Sequence, residues 1–215
     1  MINRSELSIE SKFGKRLHNM YLTHNEEVDS IAVLFPGGDN STDVPLLHYA
    51  RKASLISGCD VLSLEYGCKL GEITLDNHEM LNKIIDECYD AIYMCLRKGY
   101  KNIYFISKSI GHEVSLKLDN RLLEYSIKHI CYTPLSTHTQ EITKRNCIVF
   151  IGTKDKLFRK EDTLKLMEYS NVEVVQIENA VHSLEFNDDY KESIRILERV
   201  TEKCAEYITK QKIQF

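Results

Sequence analysis

The 215-residue sequence contains no apolar run long enough to span a membrane, no cluster of lysine and arginine, no Cys-x-x-Cys pair and only three prolines. Each absence removes a class of function. A spanning helix needs about 20 consecutive apolar residues, and the opening Met1-Ile2-Asn3-Arg4-Ser5-Glu6 lacks the apolar core of a secretory signal. The expectation is a cytoplasmic protein with no membrane partner. Nucleic-acid binding needs clustered cations, whereas the formal net charge is -4 and short basic runs such as Lys12-Phe13-Gly14-Lys15-Arg16 read as solvated turns. No nucleic-acid partner is expected. The seven cysteines (Cys59, Cys68, Cys88, Cys95, Cys131, Cys147 and Cys204) are odd in number and irregularly spaced, which predicts reduced thiols that mostly pack as small hydrophobes. The eight histidines lack zinc-site spacing. Neither a metal nor a cofactor is expected, and Gly37-Gly38-Asp39-Asn40-Ser41 lacks the Gly-Lys-Ser/Thr ending of a phosphate loop.

What is present is a composition of 43% hydrophobic and 28% charged residues, enough for one well-packed core. A single domain over 1–215 is expected. After a hairpin from Leu7 to Leu22 turning near Phe13-Gly14, short apolar runs alternate with helical patterns. Strands are predicted at Ile31 to Phe35, Val61 to Leu64, Ile103 to Ile106, His129 to Tyr132, Cys147 to Ile151 and Val172 to Ile177. Helices are predicted at about Asp43 to Ser57, Asn77 to Lys98, Ile110 to Leu118, Glu161 to Tyr169 and Asp188 to Thr209, the last with Ile194, Leu197, Val200, Cys204 and Ile208 on one face. This alternation predicts an α/β fold, a three-layer α/β/α sandwich around a mostly parallel sheet.

In such sheets working residues lie at the carboxyl ends of strands. Phe105-Ile106-Ser107-Lys108-Ser109-Ile110-Gly111 breaks an apolar run into Ser-x-Ser-x-Gly at a helix start, the spacing of a nucleophile elbow with Ser109 at its tip and small residues on both sides. The strand ending at Ile151 leads into Gly152-Thr153-Lys154-Asp155, and the last strand leads into Asn179-Ala180-Val181-His182-Ser183-Leu184-Glu185. The order Ser109, Asp155, His182 supplies a nucleophile, an acid and a base. Each has a plainer explanation: an ordinary strand-end serine, a capping aspartate, a satisfied loop histidine. Asp162 is a competing acid, better explained as a first-turn residue of its helix.

Together with Phe35-Pro36-Gly37-Gly38, these segments resemble those of the α/β-hydrolase superfamily from about Ile31 onward, with Ser107 standing where the usual pattern has Gly. The resemblance implies an esterase- or dienelactone-hydrolase-like serine hydrolase that needs no cofactor. Ser109, Asp155 and His182 would be catalytic, and an oxyanion hole would come from Ile110 with Gly38 or Gly37. Only Leu135 to Arg145 separates the sixth and seventh strands, so no lid domain is expected and the substrate would be a small acyl ester or thioester. A lidless face also leaves room for a second subunit, so a homo-oligomer is an expectation. Tyr66, Pro134 and Leu135 are candidates to line the substrate. Cys68 reads as a packing residue, His112 as a surface or partly buried residue and His138 as part of a solvated loop. The alternative function is a non-catalytic scaffold of the same fold that binds a small molecule or a protein.

Overall fold

Apolar runs that end in glycine, proline or a polar loop become the strands of one eight-stranded sheet in a computed structural model that describes residues 1–72 and 77–212. The strands are β1 (Ile2–Glu10), β2 (Arg16–His24), β3 (Ser30–Phe35), β4 (Asp60–Ser63), β5 (Asn102–Lys108), β6 (Ile127–Tyr132), β7 (Cys147–Gly152) and β8 (Val172–Ile177), and their spatial order is β1-β2-β4-β3-β5-β6-β7-β8. β1 and β2 form the antiparallel hairpin, which reaches further toward both ends than Leu7 to Leu22. From β4 to β8 every neighbouring pair is parallel.

The helices are α1 (Pro45–Ile56), α2 (His78–Leu96), α3 (Gly111–Asp119), the single turn α4 (Thr139–Ile142), α5 (Lys160–Met167) and α6 (Tyr190–Lys212). α1 starts at Pro45 rather than Asp43 because proline is pre-set for the first helical position and lacks an N–H that would be orphaned there. Strand alternation sends side chains to both faces of the sheet. Ala32, Leu34, Tyr104, Ile106, Ile130, Tyr132, Ile148 and Phe150 pack against α1 and α6. On the other face Val33, Phe35 and Phe105 meet the α2 stripe Leu81, Ile84, Ile85, Cys88, Ile92 and Cys95. Each such Leu, Ile or Phe contributes about 1.5–3 kcal/mol when fully buried. The layers match the predicted sandwich.

Two features of the helical layer bear on the site. α6 buries Ile196, Val200, Cys204, Tyr207 and Ile208, yet Ile194 is 60% exposed although its helical period places it near that face. Between β6 and β7 the chain makes only a 3-10 turn (Ser136–His138) and α4, so no lid stands there. Among the described residues no helix is long and apolar enough to cross a membrane.

Candidate active site

β5 delivers Ser109 to the carboxyl edge of the sheet, where the chain turns directly into α3. The turn puts Ser109 at φ 51, in the left-handed region that costs an L-residue roughly 1–2 kcal/mol. Gly111 makes it fit. A Cβ there would stand 2.3 Å from the Pro36 carbonyl oxygen and 2.9 Å from that of Phe35. Ser107 is tolerated in place of Gly because it is the last but one residue of β5, fully buried, and its Oγ accepts a hydrogen bond from Ser115 Oγ (3.3 Å).

Asp155 and His182 come from the loops after β7 and β8, which are fastened to each other. Lys154 N–H donates to Ala180 O (2.9 Å), Asn179 N–H donates to Thr153 Oγ1 (2.8 Å), and a Cβ on Gly152 would meet Ala180 O at 2.2 Å. His182 sits on a turn closed by Val181 N–H to Glu185 O (3.1 Å) and Leu184 N–H to Val181 O (2.9 Å). These links bring the three side chains into one line. His182 Nδ1 lies 2.8 Å from Asp155 Oδ2, and His182 Nε2 lies 2.8 Å from Ser109 Oγ. The carboxylate only accepts, so Nδ1 carries the proton and Nε2 is the free base facing the hydroxyl. The Asp155 side chain is buried, and its other oxygen accepts from Leu157 N–H (2.8 Å). Asp162 takes no part: Arg159 holds it in the first turn of α5.

The loop after β3 lies against the elbow. A Cβ on Gly37 would be 3.6 Å from Ser109 Cβ, and one on Gly38 would be 3.9 Å from Ile110 Cγ2. The N–H groups of Gly37, Gly38 and Ile110 take no acceptor among the described residues. The loop is braced from behind: Asn40 N–H donates to Gly37 O (3.0 Å), and the Asn40 side chain bonds both the N–H and the carbonyl of Tyr66. Tyr66 therefore does not line a substrate site. It is fully buried in the α2 core, and its hydroxyl donates to Pro36 O (3.2 Å), making it a brace for the loop.

The segment after β6 runs beside the elbow, with Ser109 N–H donating to Tyr132 O (3.0 Å). Pro134 there is buried and Leu135 half-buried. Among the described residues the non-glycine ones with positive φ are Asn40, Ser109, Thr133, Asn179 and Leu184, all in loops at the carboxyl ends of strands. Backbone strain of this kind gathers at functional sites.

Beneath the elbow lies what the sequence did not announce. His112 is fully buried rather than at the surface, and its Nδ1–H donates to Ser109 O (2.7 Å). Burial, and then the charge of the facing His138, holds the imidazole well below the ordinary histidine value. His138 is also buried rather than solvated, with its Nε2 3.4 Å from Glu113 Oε2 and its ring 5.7 Å from that of His112. The His138 contact holds the Glu113 carboxyl below its usual range against the opposing effect of burial. Cys68 is half-buried against the α2 core, and burial pushes its thiol up. Among the described residues no group of three His, Cys, Asp or Glu is placed to hold a metal ion.

No family model and no curated protein matches this chain. Solved structures do. A protein of unknown function from Agrobacterium tumefaciens, described as a candidate alpha/beta hydrolase, superposes with a TM-score of 0.73 at 16% identity over 96% of each chain. An esterase from Pyrococcus furiosus gives 0.70 at 15% identity over 97% of this chain and 93% of its own. A serine hydrolase without lid from Xanthomonas campestris gives 0.66 at 13% identity over 95% of each. The chain has the α/β-hydrolase fold in a lidless form.

Proposed function

We propose that the protein is a serine hydrolase that cleaves small acyl esters or thioesters through an acyl-enzyme on Ser109. One observation carries this reading: the hydrogen-bonded line from Asp155 through His182 to Ser109, with 2.8 Å at each step. His182 Nε2 takes the Ser109 proton as Oγ attacks the acyl carbon, and the imidazolium that forms is held by the buried Asp155 carboxylate. The negative charge moves to the former carbonyl oxygen. Ile110 N–H and the N–H of Gly38 or Gly37 are the donors that would receive it, each free of a protein partner among the described residues. When the intermediate collapses, the alkoxide or thiolate leaves with the proton from His182. Water then attacks the acyl-enzyme along the same route in reverse, returning Ser109 and releasing the acid.

A non-catalytic scaffold would be favoured by an imidazole out of reach of the serine, and the 2.8 Å contact is the opposite arrangement. Turnover of p-nitrophenyl acetate with a burst of one nitrophenol per chain, lost in Ser109→Ala, is the expected result. Hydrolysis that survives Ser109→Ala overturns the assignment.

A further inference from the structure

The apolar stripe of α6 does not end where the core ends. Tyr190, Ile194 and Leu197 follow one another at helical spacing, and Tyr190 and Ile194 are 72% and 60% exposed. They form one wall of a cavity of about 430 Å³ whose other wall is Val44, Pro45 and Leu46 at the start of α1. The size falls in the range of small-ligand pockets.

The place of the cavity gives it meaning. Lys108, Ser183 and Asp39 also line it, and they are the chain neighbours of Ser109, His182 and Gly38. Leu184, buried and held at φ 57, also lines it. A bulky residue in the left-handed region is uncommon, and here it belongs to the turn that carries His182. The cavity is therefore bounded by chain neighbours of the nucleophile, the base and the oxyanion loop. Its lining sets one cation, Lys108, against two carboxylates, Asp39 and Glu185, so an anionic occupant is disfavoured, and the Val44, Leu46, Ile194 and Leu197 side chains favour an apolar one.

Resting on the serine-hydrolase reading, we propose that this cavity is the substrate subsite and that its occupant is an uncharged apolar chain of the ester. The chain lies along Ile194 and Leu197 of α6, Leu46 of α1 and Val44 just before that helix. The same chemistry can come from the acyl side or the alcohol side of the bond, and the test separates them.

Two ester series are compared by kcat/KM: p-nitrophenyl acetate, butyrate, hexanoate and octanoate for the acyl side, and ethyl, butyl, hexyl and octyl acetate for the alcohol side. In one series kcat/KM rises about fourfold per methylene until the cavity is full, the factor for burying a CH₂ group. Ile194→Glu and the cavity-filling Val44→Phe each lower the ratio of hexanoate to acetate, or of hexyl to ethyl acetate, by about tenfold or more. Ile56→Glu, at an 88% exposed position on α1 away from the cavity, leaves that ratio as it is. Thermal unfolding of each variant checks that it is folded, and fluorophosphonate labelling of the wild type reports on Ser109. Flat series on both sides, or a ratio unmoved by both folded cavity variants, with Ser109 labelled, overturns the subsite and leaves the hydrolase reading standing. Absence of labelling overturns that reading and the subsite with it.

Discussion

His112 donates its Nδ1–H to the carbonyl oxygen of Ser109 at 2.7 Å, clamping from inside the core the residue whose hydroxyl faces His182 outside it. The same carbonyl also accepts the His112 backbone N–H (3.2 Å), so the left-handed turn at Ser109 is held by two donors from one residue. His112→Phe keeps the ring and removes the side-chain donor. It is expected to lower kcat by about 10–100-fold through misplacement of the hydroxyl, with KM and the shape of the pH profile retained. A kcat equal to that of the wild type would show that the clamp does not position the nucleophile.

Asp155→Asn leaves an oxygen to accept the Leu157 N–H and so preserves the loop, but it stabilises the wrong tautomer of His182. The expected loss in kcat is about 10⁴-fold, with an unfolding midpoint close to that of the wild type. A loss below tenfold would reassign the acid.

Gly111→Ala and Gly152→Ala test the elbow and the link between the acid and histidine loops. The new methyl group would stand 2.3 Å from Pro36 O in the first and 2.2 Å from Ala180 O in the second. Both obstacles are backbone carbonyls that cannot rotate aside, so each variant should lose at least the ~1–3 kcal/mol typical of overpacking. Urea midpoints measure it, and an unchanged midpoint for either would mean that the loops move apart freely.

Stability should fall in acid for a reason internal to the fold. Burial lowers both His112 and His129; His138 adds to the shift in the first, and Asp119 partly offsets it in the second. In the unfolded chain a histidine protonates near pH ~6.5, so below that pH the unfolded chain binds more protons than the folded one. The stability is complete above this range and is lost as pH falls, by up to about 1.4 kcal/mol per pH unit for each histidine. Urea midpoints that stay constant from neutral pH into the acid range would contradict neutral burial of these rings.

The sheet was legible because its strands are short apolar runs closed by glycine, proline or polar loops, and Gly58 and Gly99, at φ 77 and 83, follow the ends of α1 and α2. The segments carrying Ser109, Asp155 and His182 were legible for the same reason: each follows a strand. Tyr66 was misread because it too follows a strand. The period of two that sends Leu62 and Leu64 to the α2 core continues to Tyr66, and that signal points inward. Ile194 has the spacing of a core residue, but whether a neighbour reaches it depends on how far α1 extends beside α6. The burial of His112 and His138 had no local signal at all. It arises where α3 meets the turn after β6, a contact between segments about 26 residues apart that no short pattern encodes.

The most direct test of the central claim is fluorophosphonate labelling of the folded protein, with the modified residue mapped by mass spectrometry and Ser109→Ala as control. One adduct per chain on Ser109, absent from the folded Ser109→Ala variant and sharply slowed in His182→Ala, is the predicted result. A folded protein that takes no label, or takes it elsewhere, would contradict an activated serine at the elbow.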